Sequence, residues 1–319
     1  MATTLRRLLM RPGTLRPTVS LLPHFSFSEA SSFLLLSKKS SLSRRSLYNF
    51  AVTRQIPNSF VNSISKYYEN NNQDDAAISI SLAKSQHEDY VKLLRLKVPT
   101  LELPPLEHHP DCVFVEDTVV AVDNRAVITW PGHASRQGEV DSIRQVLEQL
   151  GMDVWEMKTQ NADAICDGGD VMYTGRHLFV GLSERTNAQG ASVLEEAFSP
   201  LPMVTVALDA KDALHLKSIV THMDEYTILA PQGSLGDKVL QAMDAAALGY
   251  TTVRLPDIRA CNVVTVNGLI VASDNICEES RAILLDCALE RNLDVEFVGN
   301  TEIAKSDGAN TCCSVLLSL

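Results

Sequence analysis

The chain reads as an α/β protein in which helix, strand, loop and hairpin recur five times and close into a ring. Three observations carry that reading. Amphipathic helical stretches recur at a spacing of about 40–55 residues, within the range of repeat architectures. A short strand-like run follows each helix, and the fifth unit stops one strand short.

The helices are expected near Ala76–Leu94, Arg136–Leu150, Ala188–Phe198, Leu235–Leu248 and Glu278–Arg291. The strands after them are Val98–Leu103, Met152–Met157, Met203–Leu208, Thr251–Leu255 and Leu293–Val298. Hairpins then pair Val113–Val122 with Ala126–Trp130, and Asp170–Tyr173 with Leu178–Leu182. A third joins Val263–Val266 to Leu269–Ala272 through Asn267-Gly268, the dipeptide a type I′ turn favours. The fifth unit has only Cys313–Leu317; its partner is expected around Phe50–Gln55, so that first and last strands pair and no edge is left open. In such a ring the loops holding Asp111, Asp167, His215, Ile258-Arg259-Ala260 and Cys312 share one mouth. A doubly wound α/β sheet with coincidental spacing is the competing architecture.

The first fifty residues differ from the rest. They carry Arg6, Arg7, Arg11, Arg16, Lys38, Lys39, Arg44 and Arg45 against one acid, Glu29, with Ser, Leu and Thr between. That is the make-up of an organellar transit peptide, so residues 1–47 are set apart from a catalytic domain over 48–319. Early arginines among leucines point to the mitochondrion, with a plastid as the alternative; a nucleic-acid-binding arm is a third reading. The whole chain has a net charge of −11, and the body without its leader is more acidic still. Such a body repels nucleic acid and anionic lipid and suits a cationic small molecule. No apolar run approaches the roughly 18 residues that span a bilayer. Seven cysteines, an odd number without framework spacing, argue against a disulfide-stapled secreted protein. No Walker motif, dinucleotide fingerprint or structural metal set occurs, so no cofactor is expected. The oligomeric state is not legible.

Chemistry concentrates at a few places. Cys312 and Cys313 follow a Gly-containing turn, where a thiol can be presented as a nucleophile. His215 can carry protons, and Asp167-Gly168-Gly169-Asp170 can orient an imidazole. Residue chemistry alone does not choose between the two thiols. Thiolate and imidazole would also attract zinc, at Cys312 and His215, as an inhibitor rather than a required metal. Glu116 and Asp117 are adjacent in an apolar run, so in a regular strand one of them points inward and needs a cationic partner. Arg136 and Arg185 can each grip a carboxylate with two parallel hydrogen bonds.

Five segments resemble one family. They are Pro110–Asp117, Asp167–Asp170, Leu178–Asn187, Leu214–Ser218 and Asp307–Val315, in matching order from about Asn49 to the end. They look like the dimethylarginine dimethylaminohydrolases, five-bladed β/α propellers (penteins) that hydrolyse methylated arginine to citrulline and a methylamine. The resemblance implies Cys312 as nucleophile, His215 as acid/base and Asp167 as the orienting carboxylate. It implies Asp111, Glu116 and Asp117 around the guanidinium, Arg136 and Arg185 on the amino-acid carboxylate, and a backbone contact at Ser306. Ser306, and Ser65 at a substrate-touching lid position, stand where the family carries apolar residues. An arginine deiminase of the same fold is the nearest rival, and a non-catalytic homologue the next, although all three catalytic positions are filled.

Fusing the first fifty residues to a fluorescent protein is expected to direct it into an organelle, seen by microscopy; a diffuse cytosolic signal would contradict the leader.

Overall fold

Among the described residues, fifteen short strands pair in threes to make five separate sheets. The computed structural model describes residues 48–64 and 77–319. The expected leader, 1–47, and the expected lid residue Ser65 lie outside them. No described helix is long and apolar enough to cross a membrane.

One pattern builds every blade. A hairpin supplies two antiparallel strands, and a helix then carries the chain back to a third strand parallel to the second. In the best-formed example, β3 (Val119–Val122) pairs antiparallel with β4 (Arg125–Ile128), and α2 (Val140–Gln149) leads to parallel β5 (Asp153–Glu156). The next three blades repeat this with β6 (Val171–Tyr173), β7 (Leu178–Leu182), α3 (Ala188–Ala197) and β8 (Met203–Ala207), then β9 (Thr221–Asp224), β10 (Thr227–Pro231), α4 (Ser234–Ala242) and β11 (Thr251–Leu255), then β12 (Val264–Val266), β13 (Leu269–Ser273), α5 (Glu278–Glu290) and β14 (Asp294–Val298). The middle strands β10 and β13 are buried along their whole length, which is why they read as unbroken apolar runs. The outermost strands are only partly buried, and β14 alternates along its length.

The last blade is assembled from both ends of the chain. β15 (Ser314–Leu317) pairs antiparallel with β1 (Phe50–Arg54), with Phe50 opposite Leu317 and Thr53 opposite Ser314. Helix α1 (Ile80–Arg95) then leads to β2 (Thr100–Leu103), parallel to β1. The Asn49 side chain completes the seam: its amide donates to the Leu319 carbonyl, and its oxygen accepts from the Leu319 N–H, both at 2.8 Å. The expected ring closure is present, and separate sheets rule out one doubly wound sheet.

The Asn267-Gly268 turn has φ of 47° and 85°, the left-handed pair that a type I′ turn needs. Two expectations need correction. Val113–Val122 is a strand only from Val119, because Val115–Thr118 winds into a 3-10 turn in which the Thr118 hydroxyl donates to the Val115 carbonyl at 2.6 Å. Helix α4 ends at Ala242, well short of Leu248, where Asp244 adopts a left-handed φ of 52°.

The Val115–Thr118 turn is one of five. Equivalent 3-10 turns, Gly168–Asp170, Leu216–Ser218, Ile258–Cys261 and Thr311–Cys313, precede the first hairpin strand of each remaining blade. They lie against one another around the axis, and four of the five bear or adjoin a candidate reactive group.

Candidate active site

Four of the five turns supply a candidate reactive group. Asp117 lies within its turn, Asp167 and His215 immediately precede theirs, and Cys312 is the middle residue of the last. Together with Asp111, Arg136, Arg185 and Ser306 these residues line one cavity of about 490 Å³, counted to its open mouth. Of the described residues that the resemblance assigns to substrate or catalysis, Glu116 is not on that wall. Its side chain turns the other way, pairs with Lys217 at 2.6 Å, and lines a second cavity on the far side of the turns.

The glycines of Asp167-Gly168-Gly169-Asp170 are there for space. A Cβ on Gly168 would sit 2.0 Å from the Glu116 carbonyl oxygen, and one on Gly169 would sit 2.6 Å from His215 Nδ1. The turn therefore packs its backbone directly against its neighbours. The Gly169 N–H donates to Asp117 Oδ1 at 2.8 Å, and His215 Nε2 lies 3.0 Å from Asp167 Oδ2. Asp167 Oδ1 is occupied by the Gly132 N–H at 2.8 Å, so the carboxylate is fixed before it orients the ring.

Arg136 is buried and heavily engaged. Its Nε donates to Glu139 at 3.1 Å and its Nη2 at 2.7 Å, a two-pronged grip, while Nη1 reaches Asp117. Nη2 also lies 2.9 Å from the Phe114 carbonyl. Of the five N–H groups of a guanidinium, these contacts leave one on Nη1. Arg185 contrasts with it: half-buried at the cavity wall, its side chain has no hydrogen bond or ion pair among the described residues. Asp111 Oδ1 accepts from the Ile64 N–H at 3.0 Å, and the Ser306 hydroxyl bonds to that of Ser63.

The fourth blade contributes no reactive group, but its Asn262 ties two turns together. The amide donates to the Lys217 carbonyl at 2.9 Å and to Thr311 Oγ1 at 3.0 Å, and its oxygen accepts the Thr311 N–H at 3.2 Å. The segments carrying His215 and Cys312 are thus held to each other. The two thiols now differ. Cys313 packs in the apolar core and is 1% exposed, whereas Cys312 opens into the cavity.

Electrostatics give the site a definite resting state. Burial opposes charge on the His215 ring, yet Asp117, the hydrogen bond to Asp167 and the charge of Asp170 outweigh it and lift the imidazole to about 9. Burial, with Glu116 and Asp117 behind it, pushes the Cys312 thiol up to about 12. Burial raises Asp111 to about 6 against the pull of Arg136. Burial would also raise Asp117, but His215 and Arg136 hold it below the usual carboxylate range. Near neutral pH the site holds an imidazolium and a neutral thiol beside an ionised Asp117. Asp117, Asp167 and His215 bring ligand atoms within 4.8 Å of one another. The zinc expected at Cys312 and His215 would therefore meet two aspartates beside a ring that favours its proton.

The pairing of this geometry with known proteins decides the family. Residues 55–271 match the family described as N,N dimethylarginine dimethylhydrolase, eukaryotic. The chain belongs to the dimethylarginine dimethylaminohydrolases. It is 34% identical over 240 residues to the N(G),N(G)-dimethylarginine dimethylaminohydrolase of Streptomyces coelicolor, covering 74% of this chain and 86% of that one. The Pseudomonas aeruginosa enzyme of the same name is 32% identical over 238 residues, 73% of this chain and 87% of its own. A crystal structure of the Pseudomonas enzyme, a cysteine-to-serine mutant complexed with citrulline, matches with a TM-score of 0.71 at 26% identity, over 85% of this chain and 99% of that one. A further dimethylarginine dimethylaminohydrolase structure, a histidine-to-glycine variant with an S-methyl-L-thiocitrulline adduct, gives 0.71 at 27% identity, over 84% and 99%. The pentein fold expected from the sequence is the fold of these neighbours.

Sequence reading missed Lys217, Glu139 and Asn262. Lys217 is two residues beyond His215, but the 3-10 turn over Leu216–Ser218 carries it away from the ring to Glu116 and the second cavity. A buried amide such as Asn262 leaves no trace in the sequence pattern.

Two outcomes follow. Gly169→Ala should cost at least about a hundredfold in turnover, by displacing His215, while destabilising the fold by only about 1–3 kcal/mol; near-normal kinetics would contradict the packing. In substrate-free enzyme, alkylation of Cys312 by iodoacetamide should accelerate about tenfold per pH unit between about pH 6 and pH 9, because the thiolate is the minor form throughout. A rate flat across that range, followed by peptide mapping, would mean that the thiol is already ionised.

Proposed function

We infer that the protein hydrolyses Nω-methylated arginine to citrulline, releasing dimethylamine or methylamine through a covalent intermediate on Cys312. The observation that carries this reading is the shared cavity in which a thiol, an imidazolium and several acids await a cation. A guanidinium is planar and resonance-stabilised, so water attacks its carbon slowly and two displacements are easier than one.

A methylated arginine side chain entering this cavity brings positive charge to Cys312, which favours the thiolate and release of its proton. Asp117 and Asp111 supply negative charge along the path. Arg185, with the remaining Nη1–H of Arg136, suits the substrate carboxylate, and Ser306 offers a backbone contact at the mouth. Glu116 lies behind the site with its charge met by Lys217, so the guanidinium is left to Asp111 and Asp117.

The thiolate attacks the guanidinium carbon, and a C–S bond forms. His215, already protonated, gives its proton to the methylated nitrogen as the C–N bond breaks. The neutral imidazole then takes a proton from water, whose oxygen attacks the same carbon. The C–S bond breaks, citrulline leaves, and the thiolate is regenerated. Asp167 keeps the ring oriented through both proton transfers. This sequence draws on protein side chains and water alone. The basic, Ser-rich first 47 residues support delivery to an organelle, the mitochondrion first.

The deciding assay compares citrulline release from asymmetric dimethylarginine, monomethylarginine and arginine. Methylated substrates should be preferred by kcat/KM; preference for arginine would make the protein a deiminase. Cys312→Ser should stay folded and bind substrate, yet lose at least roughly a thousandfold in turnover. Retained activity in that variant would place the nucleophile elsewhere.

A further inference from the structure

Asp170 is fully buried and does not line the cavity, yet its carboxylate is bonded to segments that do. Oδ1 accepts the Leu216 N–H at 2.9 Å, on the residue next to His215. Oδ2 accepts the Ser183 hydroxyl at 2.6 Å, and Ser183 Oγ in turn accepts the Arg185 N–H at 2.9 Å. The Thr186 hydroxyl also stabilises this carboxylate, and Thr186 Oγ1 accepts the Asp167 N–H at 3.1 Å. Three segments carrying His215, Arg185 and Asp167 therefore meet at one side chain. Strand β7 leaves room for it: a Cβ on Gly181 would lie 2.7 Å from Asp170 Oδ1 and 3.0 Å from Leu216 Cβ.

We propose that Asp170 is a positioning residue that sets the acid/base ring and the carboxylate-binding arginine together, so that proton transfer and substrate capture share one anchor. Burial pushes the Asp170 carboxyl above the usual carboxylate range, and the charge of His215 with the hydrogen bonds from Ser183, Thr186 and Leu216 pulls it back. The two arms are separable. The Leu216 arm governs where His215 stands, and the Ser183 arm governs the Arg185 turn. The kinetic consequences rest on the function inferred above, but the ring's placement does not.

The test uses Asp170→Ala, Asp170→Asn and Ser183→Ala in the full chain, with citrulline release as the kinetic readout. Ser183→Ala should raise KM about fivefold, the size of one lost hydrogen bond, with kcat within about twofold. Asp170→Ala should lower kcat at least about thirtyfold and raise KM as well. Asp170→Asn keeps an acceptor for Leu216 and can donate to Ser183, so it should recover most of KM. An NMR titration of the His215 ring without substrate, assigned by its loss in His215→Gln, provides the independent arm. Asp117, Asp167 and Asp170 all face that ring, so removing one charge in Asp170→Asn should move its midpoint to lower pH. The proposal is overturned if folded Asp170→Ala keeps wild-type kcat and KM, if Ser183→Ala affects kcat as strongly as KM, or if the titration in Asp170→Asn does not move. Wild-type enzyme that releases no citrulline would sink the functional reading alone, while the titration would still decide for or against Asp170.

Discussion

The pairing of β1 with β15 is the constraint on which the site depends. Cys312 stands in the turn just before β15, and β15 is held by a strand from the other end of the chain. Without that seam the last blade would lack its middle strand, and the Cys312 thiol would hang from an unpaired edge. The same closure bends the other four blades into a ring and brings their entering turns face to face. Candidate catalytic residues far apart in sequence thereby share a cavity of amino-acid size.

Once the turns meet, the difficulty is electrostatic. Asp117, Asp167 and Asp170 all influence His215 within the buried interior, with Glu139 beside Arg136. Buried charges are tolerated only when paired and hydrogen-bonded. Arg136 joins Asp117 to Glu139, Lys217 neutralises Glu116, and backbone N–H groups of Gly132, Gly169 and Leu216 satisfy three of the carboxylates. The result is a frame whose acids are fixed in place and whose thiol stays neutral until positive charge arrives. Reactivity is thus coupled to the substrate class that the site is built to hold.

The architecture was legible because each blade repeats one apolar pattern and because Asn267-Gly268 names its own turn. The N-terminal partner for Cys313–Leu317 was legible from an edge that needed covering. The 3-10 turns were not. In Val113–Val122 apolar residues flank Glu116-Asp117-Thr118 on both sides, and nothing in that pattern tells an extended segment from one turn of helix that a threonine hydroxyl caps. The parity argument for Glu116 and Asp117 failed for the same reason: in a tight turn neighbouring side chains reach different cavities rather than opposite sheet faces. The choice between Cys312 and Cys313 likewise needed burial, which only packing against Tyr90 and its neighbours supplies.

On the proposed mechanism, Cys312 carries the reacting carbon within this cavity. Acid quenching during turnover of asymmetric dimethylarginine, followed by peptide mass spectrometry, tests it directly. A substrate-derived adduct, lacking dimethylamine, is expected on the peptide containing Cys312 and localised to that sulfur. An adduct on Cys313 or Cys166, or active turnover with no covalent species under any quench, would contradict it.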